Sequence, residues 1–406
     1  MTLRQDADRI IGAALHAAMP DTAVKKALEQ AEFSEGRLIL VAAGKAGWQM
    51  ASAAYDQLGQ RISGGVVVTK YGHSRGPIGN LQIFEAGHPV PDENSFRGTQ
   101  AAIEAVSDLT EADTVLFLLS GGGSALFEKP LIPGEDLDRL TRELLACGAD
   151  IVEMNTVRKR FSAVKGGRFA KLCSPARVMT IVLSDVLGDR LDMIASGPAC
   201  PDASTCEEAL AVAEKYHLTL TEQMARLLRE ETPKQLDNVT THITGSVRQL
   251  CRAAREECER LGYETLVLTD QLSCTARDAG VFLANMACFH AGAPRAFLAG
   301  GETVVHLTGR GKGGRNQELA LAAAPGIAGL HACVFSFGSD GTDGPTDAAG
   351  GYVDGETAGI LKAQGICVDA VLADNDAYHA LEACGGLLMT GPTGTNVNDL
   401  SVVLLR

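Results

Sequence analysis

Short apolar runs recur along the chain, each ending in a small or polar residue and followed by a stretch with helical spacing. The runs at 37–43, 65–69, within 81–97, and at 114–119, 178–183, 265–268, 296–299, 303–308, 331–337, 370–374 and 401–405 are too short for helices and read as strands. Segments 5–19, 21–28, 48–58, 95–106, 135–149, 204–216, 221–230, 246–261, 276–291 and 316–324 carry the helical period, and a further helix is predicted to start at, and be capped by, Asn155. Strands alternating with helices predict an α/β protein whose parallel strands place their carboxyl ends on one edge, where ligands bind. Lys45, Ser120–Ser124, Asp185, Gly300–Glu302 and Asp340 all follow such runs. The polar stretch 232–238, with Pro233, reads as a linker and divides the chain into domains at 1–235 and 236–406.

Composition narrows the function classes. The 406 residues are 46% hydrophobic and include 45 glycines, which suits a loop-rich enzyme with sizeable cores. A net charge of −14 argues against nucleic acid or an acidic membrane as partner, because both require a net basic face. No apolar run approaches the roughly 20 residues of a membrane span. The eleven cysteines include no Cys-x-x-Cys pair, so buried reduced thiols and a cytoplasmic location are expected.

Candidate chemistry concentrates in the loops. Ser120, Gly121, Gly122, Gly123 and Ser124 follow a strand, and glycines there can turn backbone N–H groups toward an anion; a glycine-rich turn without a ligand reads equally well. Arg158, Lys159, Arg160, Lys165, Arg168 and Lys171 form a local basic reversal in an acidic chain, with a solvated face as the plain alternative. Gly309–Gly314 matches G-x-G-x-x-G, which raises a dinucleotide site, although interleaved Arg310, Lys312 and Arg315 suit a clamp on concentrated negative charge better. Asp185 and Asp189, four apart after a strand, suit sparse Mg²⁺ ligation, whereas Asp340, Asp343 and Asp347 read first as turn formers. His88 sits in a Pro-rich loop and offers little; no Walker motif, serine-hydrolase elbow or zinc spacing occurs. Glycine loops, cations and sparse carboxylates together favour phosphoryl transfer.

The motifs AGKA (43–46), GHPVPDENS (87–95), LSGGGSAL (119–126), NTVRKRFSAVKGGR (155–168), LSDVLGD (183–189), SGPACPD (196–202), GGET (300–303), GRGKGGRNQE (309–318), GSDGTDGPTDAAG (338–350) and GPTGTNVNDL (391–400) resemble, in one order and over nearly the whole chain, those of the glycerate 2-kinase family. The second half resembles that family's MOFRL domain. The resemblance implies a Rossmann-like N-terminal domain with a mainly parallel sheet, a second α/β domain and an active site in the cleft between them. It further implies phosphorylation of D-glycerate at its 2-hydroxyl with ATP and Mg²⁺, giving 2-phosphoglycerate. The family's catalytic lysine and arginine fall on Lys45 and Arg315. On this basis Ser120, Gly121, Gly122, Gly123, Ser124, Lys165, Arg168, Gly311, Lys312, Gly313, Gly394, Thr395 and Asn396 are expected to bind substrate or nucleotide, and Asp185 and Asp189 to hold the metal. A homodimer is left open. Some family members carry the label hydroxypyruvate reductase, so an NAD(P)H-dependent reductase is the alternative, and a non-catalytic binder of small anions the second.

Overall fold

The computed structural model describes residues 2–29 and 31–406. The chain separates into two compact units, neither of them one continuous segment. One contains Ala23–Leu183 and Asp189–Thr244; the other gathers the N-terminal residues through Thr22, Ser184–Gly188 and Gly245–Arg406. A single boundary near residue 235 therefore describes chain order but not where the first helix belongs. That helix, Leu3–Ala18, buries Ile10, Ile11, Ala14 and Ala18 against Leu250 and Ala254 of the helix Val247–Arg260. Its fully buried Asp6 accepts hydrogen bonds from the Tyr263 hydroxyl (2.6 Å) and Arg406 Nη2 (2.7 Å). A buried carboxylate must be paired, and both donors lie in the later part of the chain.

The first unit is organised by a six-stranded sheet: β1 (Leu38–Ala43), β2 (Gly64–Lys70), β3 (Leu81–Ala86), β4 (Thr114–Leu119), β5 (Arg177–Leu183) and β6 (Val239–Gly245), in the order β3-β2-β1-β4-β5-β6. The pairs β2–β3, β1–β2, β1–β4 and β4–β5 are parallel. β1 and β4 are buried along their whole length, as continuous apolar runs covered on both faces must be. Helices Pro20–Leu28 and Gly47–Leu58 cover one face through Val24, Met50 and Ala54. On the other side Phe117 meets Phe127 and Phe169 with ring centroids 5.4 and 4.8 Å apart. From β1 the chain moves outward through β2 to β3 and then returns to place β4 on β1's other side. The strand order thus reverses between β1 and β4, and the loops leaving those two strands open side by side at the resulting crevice.

The second unit has a mixed sheet of β7 (Glu264–Leu272), β8 (Arg295–Gly301), β9 (Ala332–Gly338), β10 (Gly350–Asp354), β11 (Leu387–Leu388) and β12 (Asp399–Leu405), in the order β11-β10-β9-β12-β8-β7. Only β7–β8 is parallel; β12 runs antiparallel between β8 and β9. Alternation along β12 sends Val402 and Leu404 to one core, with Leu3–Ala18 and Val247–Arg260, and Val403 and Leu405 to another, with helices Ala276–Phe289 and Arg315–Ala323. The antiparallel insertion does not scatter the strand ends. Asp399, the first residue of β12, stands opposite Gly301 and Gly338, the last residues of β8 and β9.

Several predicted elements change. Residues 303–308 form no strand, only an isolated bridge from Val304 to Thr275. Residues 370–374 belong to the helix Val368–Ala373 and its cap, an apolar run too short to distinguish strand from helix by spacing. β6 and β10 escaped the sequence reading because VTTHITG and GGYVD carry few apolar residues. Asn155 caps nothing: its helix, Ile151–Arg158, begins four residues earlier, with the Asp150 carboxylate accepting from the N–H groups of Val152 and Glu153. All eleven cysteines are free, and of these Cys173, Cys251, Cys258 and Cys333 are buried, fewer than expected. Among the described residues no helix is long and apolar enough to cross a membrane.

Candidate active site

In the first unit, the switch-point crevice brings Lys45 and the glycine loop together. After β1 the backbone turns at Gly44, whose φ of 125° no L side chain adopts comfortably and whose missing Cβ leaves room for Ser120 Oγ. Lys45 N–H then donates to Gly121 O (2.9 Å), Ala46 N–H to Ser120 Oγ (3.0 Å), and Thr69 Oγ1 to Gly44 O (3.1 Å). The Ser120 hydroxyl thus locks the two loops to each other. Gly122, with φ of 84°, lies beneath His88 and the Lys45 side chain; a Cβ there would stand 2.9 Å from His88 Cδ2 and 3.1 Å from Lys45 Cγ. His88 is accordingly a wall of this site, contrary to the sequence reading. Burial lowers its pKa, and the Lys45 charge lowers it further, so the ring is held neutral. Among the described residues, the N–H groups of Gly122, Gly123 and Ser124 meet no acceptor in the chain, and Lys45 makes no ion pair.

Lys165 and Arg168 are placed differently from expectation. Lys165 is fully buried, its Nζ paired with Glu128 and donating to Ser124 O (2.7 Å). Burial lowers its pKa to about 8 against the opposing pull of Glu128. Arg168 Nη1 donates to the carbonyls of Lys159, Arg160 and Ser162 at 3.1, 3.1 and 2.6 Å. The first supports the glycine loop from behind and the second closes a turn; neither presents a free charge to a ligand. Ser124 Oγ reaches Ser196 Oγ (3.0 Å), which donates to Asn155 Oδ1 (2.9 Å).

In the second unit the ends of β8, β9 and β12 surround Arg315. Asp399 takes a bidentate bond from its guanidinium (Nε 2.5 Å, Nη2 3.0 Å), and Glu302 lies 3.1 Å from Nη1. Burial opposes the charge on Arg315, but these two carboxylates outweigh it and keep the group protonated at any working pH. A third of the side chain stays exposed (34%), on the rim of a cavity of about 730 Å³. Leu187, Val304, Leu307, Pro345 and Ala377 give that cavity apolar walls, and its size lies within the range of small-ligand sites.

The loop 309–314 is closed over its first four residues. Their N–H groups donate to the segment 374–376: Gly309 to Asn375 Oδ1 (2.9 Å), Arg310 to Asp374 Oδ1 (3.0 Å), Gly311 to Asp374 O (2.8 Å) and Lys312 to Asp376 Oδ1 (2.9 Å). The anion place at the start of the helix Arg315–Ala323 is filled by Asp343, which accepts from the N–H groups of Asn316 (3.2 Å) and Gln317 (2.9 Å). Burial raises Asp343 to about 6 even with those bonds. The glycines serve close packing, since a Cβ on Gly311 would sit 2.4 Å from Asp376 Cβ. Lys312 lies 3.7 Å above the Tyr378 ring. Thr395 is buried and donates to Ala18 O (2.7 Å), while Gly394, with φ of 83°, and Asn396 are exposed.

Asp185 is partly exposed. Asp189, at φ of 53°, keeps Oδ1 buried without a hydrogen-bond partner among the described residues. An orphaned carboxylate oxygen of this kind fits a hard cation with few protein ligands.

An α/β fold with one glycine loop open at a switch point, and an arginine held at the edge of a second sheet, defines a small-molecule enzyme that handles anions. Residues 6–229 match the model of a domain of unknown function, DUF4147, and residues 295–399 match the MOFRL family. A D-glycerate 2-kinase from Thermotoga maritima is 53% identical over all of this chain and 99% of its own length. A protein of Agrobacterium vitis named as a candidate hydroxypyruvate reductase is 38% identical, over all of this chain and 95% of its own. The crystal structure of a glycerate kinase from Thermotoga maritima superposes with a TM-score of 0.96 at 52% identity, covering all of this chain and 99% of that one. The chain belongs to the glycerate kinase family built from DUF4147 and MOFRL domains.

Proposed function

We propose that this protein is a glycerate 2-kinase, which transfers the γ-phosphoryl group of ATP to the 2-hydroxyl of D-glycerate. The observation that carries this is the 53% identity, end to end, with a D-glycerate 2-kinase. The substrate oxygen bonds to the γ-phosphorus as the bond to the β,γ-bridging oxygen breaks, the hydroxyl proton is released, and the products are 2-phosphoglycerate and ADP. Such a transfer needs positioning and neutralisation of negative charge more than a covalent nucleophile. Lys45, unpaired and half-buried beside the glycine loop, supplies one positive charge to the phosphoryl oxygens, and Arg315, aimed by Asp399 and Glu302, supplies another. The N–H groups of Gly122, Gly123 and Ser124 receive anionic oxygens. Asp189, together with Asp185, would hold Mg²⁺, which when bound neutralises phosphate charge. The amides of Gly309–Lys312 are taken by Asp374, Asn375 and Asp376 and those of Asn316 and Gln317 by Asp343, which leaves a dinucleotide pyrophosphate few amides at G-x-G-x-x-G and favours the kinase over the reductase.

The test is incubation with D-glycerate, ATP and Mg²⁺ in the presence of enolase and no phosphoglycerate mutase. Immediate phosphoenolpyruvate establishes both the transfer and its position. Product that waits for mutase moves the phosphate to the 3-hydroxyl, and NADH oxidation on hydroxypyruvate without phosphoryl transfer overturns the kinase.

A further inference from the structure

The basic run 158–171 contains six cations, and the structure sorts them. Lys159 and Arg160 converge on the buried Asp202 at 3.1 and 3.2 Å. Lys165 pairs with Glu128, Arg168 closes three carbonyls, and Lys171 points to solvent. Arg158 alone is partly buried with no hydrogen bond or ion pair among the described residues, and its Nε is sealed from solvent without an acceptor. An unpaired guanidinium donor buried in this way is costly unless something arrives to accept from it.

Its position says where. Arg158 follows Asn155 by three residues on the helix Ile151–Arg158, so both side chains leave the same side. Asn155 is tied through Ser196 to Ser124 of the open glycine loop, at 2.9 and 3.0 Å. Arg158 also lies close enough to Lys165, which holds Ser124 O, for its charge to act on that lysine after burial and Glu128. The unpartnered Nε belongs to the side edge of the guanidinium, where Nε–H and an Nη–H run parallel and match the two oxygens of a carboxylate.

We infer that Arg158 is the residue that binds the carboxylate of the hydroxy-acid substrate, leaving the hydroxyl to be phosphorylated. The inference rests on the kinase reading and names the substrate contact within it. The carboxylate and the nucleotide's phosphates are both oxyanions, so the assay must separate them.

The enolase-coupled rate is measured for wild type, Arg158→Gln and Arg158→Lys against each substrate in turn. Arg158→Gln is expected to raise KM for D-glycerate on the order of 10- to 100-fold, the loss of a charged hydrogen-bond pair, with KM for ATP moving less than about 2-fold. Arg158→Lys, which keeps the charge but not the fork, should fall between. Thermal midpoints should not fall below wild type, since no partner among the described residues is lost and a buried unpaired donor is removed. An unchanged KM for D-glycerate in an active wild-type background overturns the assignment and leaves the kinase standing. A rise confined to ATP overturns it too, by giving Arg158 to the phosphates. Wild type that makes no product overturns both readings at once.

Discussion

Two glycine loops in this molecule look alike in sequence and behave oppositely. Gly121–Gly123 leaves the N–H groups from Gly122 to Ser124 without acceptors among the described residues, beside a lysine that makes no ion pair with them and a neutral histidine. Gly309–Gly314, the better match to a phosphate fingerprint, has the amides of residues 309–312 taken by Asp374, Asn375 and Asp376, and its helix start taken by Asp343. The difference lies in the neighbours. The first loop opens at a switch point, where adjacent parallel strands diverge into loops on opposite sides and leave a crevice. The second packs under an acidic turn, and its glycines permit that contact. A glycine loop can therefore offer amides to an anion only where tertiary structure leaves them unmet.

The largest effect expected is behind the open loop. Lys165→Met strands the buried Glu128, whose Oε1 already lacks a partner, and should destabilise the fold by about 3–5 kcal/mol in denaturant titration. The double variant Lys165→Met, Glu128→Leu should recover much of that loss; failure to recover would mean that Lys165 supports the loop by more than charge compensation.

Lys45→Ala and Arg315→Ala should each lower kcat by about 10²–10³-fold, as loss of a preorganised charge does. They should differ in stability. Lys45 has no ion-pair partner to strand among the described residues, whereas Arg315→Ala leaves Asp399 buried, so only the second should also lower the thermal midpoint. Wild-type rates in both variants would end the assignment of either residue to the phosphoryl group.

Asp343 marks the closed loop by its pH dependence. Its folded pKa of about 6 lies above the ordinary carboxylate value, so the folded state holds the proton more tightly than the unfolded chain. Its contribution to stability is full below about pH 4 and is lost as pH rises to about 6, by roughly 2–3 kcal/mol. Asp343→Asn should flatten that part of the midpoint-against-pH curve, and an unaltered curve would show that Asp343 is not the group titrating.

The smallest effect is at His88. Removing the neighbouring charge in Lys45→Met should raise the histidine pKa by less than about one unit in an NMR titration, because burial is the larger cause and remains. No shift would place Lys45 farther from the ring than Gly122 suggests.

Much of this architecture is written in the chain itself. Runs such as TVLFLL and RVMTIVL read as buried strands, the helices between them point to a layered α/β fold, and the order of motifs resembles that of the family. Lys45 and Arg315 stood out in the sequence because the short glycine-flanked motifs that hold them resemble those of the family. What sequence spacing could not decide is pairing over distance. That Lys165 is paired while Arg158, seven residues earlier, is left without a partner among the described residues depends on where Glu128 lies, and that Arg315 is aimed depends on Asp399, 84 residues away. The first helix was visible as amphipathic, yet its home in the later unit follows from Asp6 meeting Tyr263 and Arg406. Periodicity reports which face of an element is apolar, a local property of the chain. Which charge meets which, and which amides stay unmet, is set when distant segments pack, and burial then makes each pairing a matter of several kcal/mol.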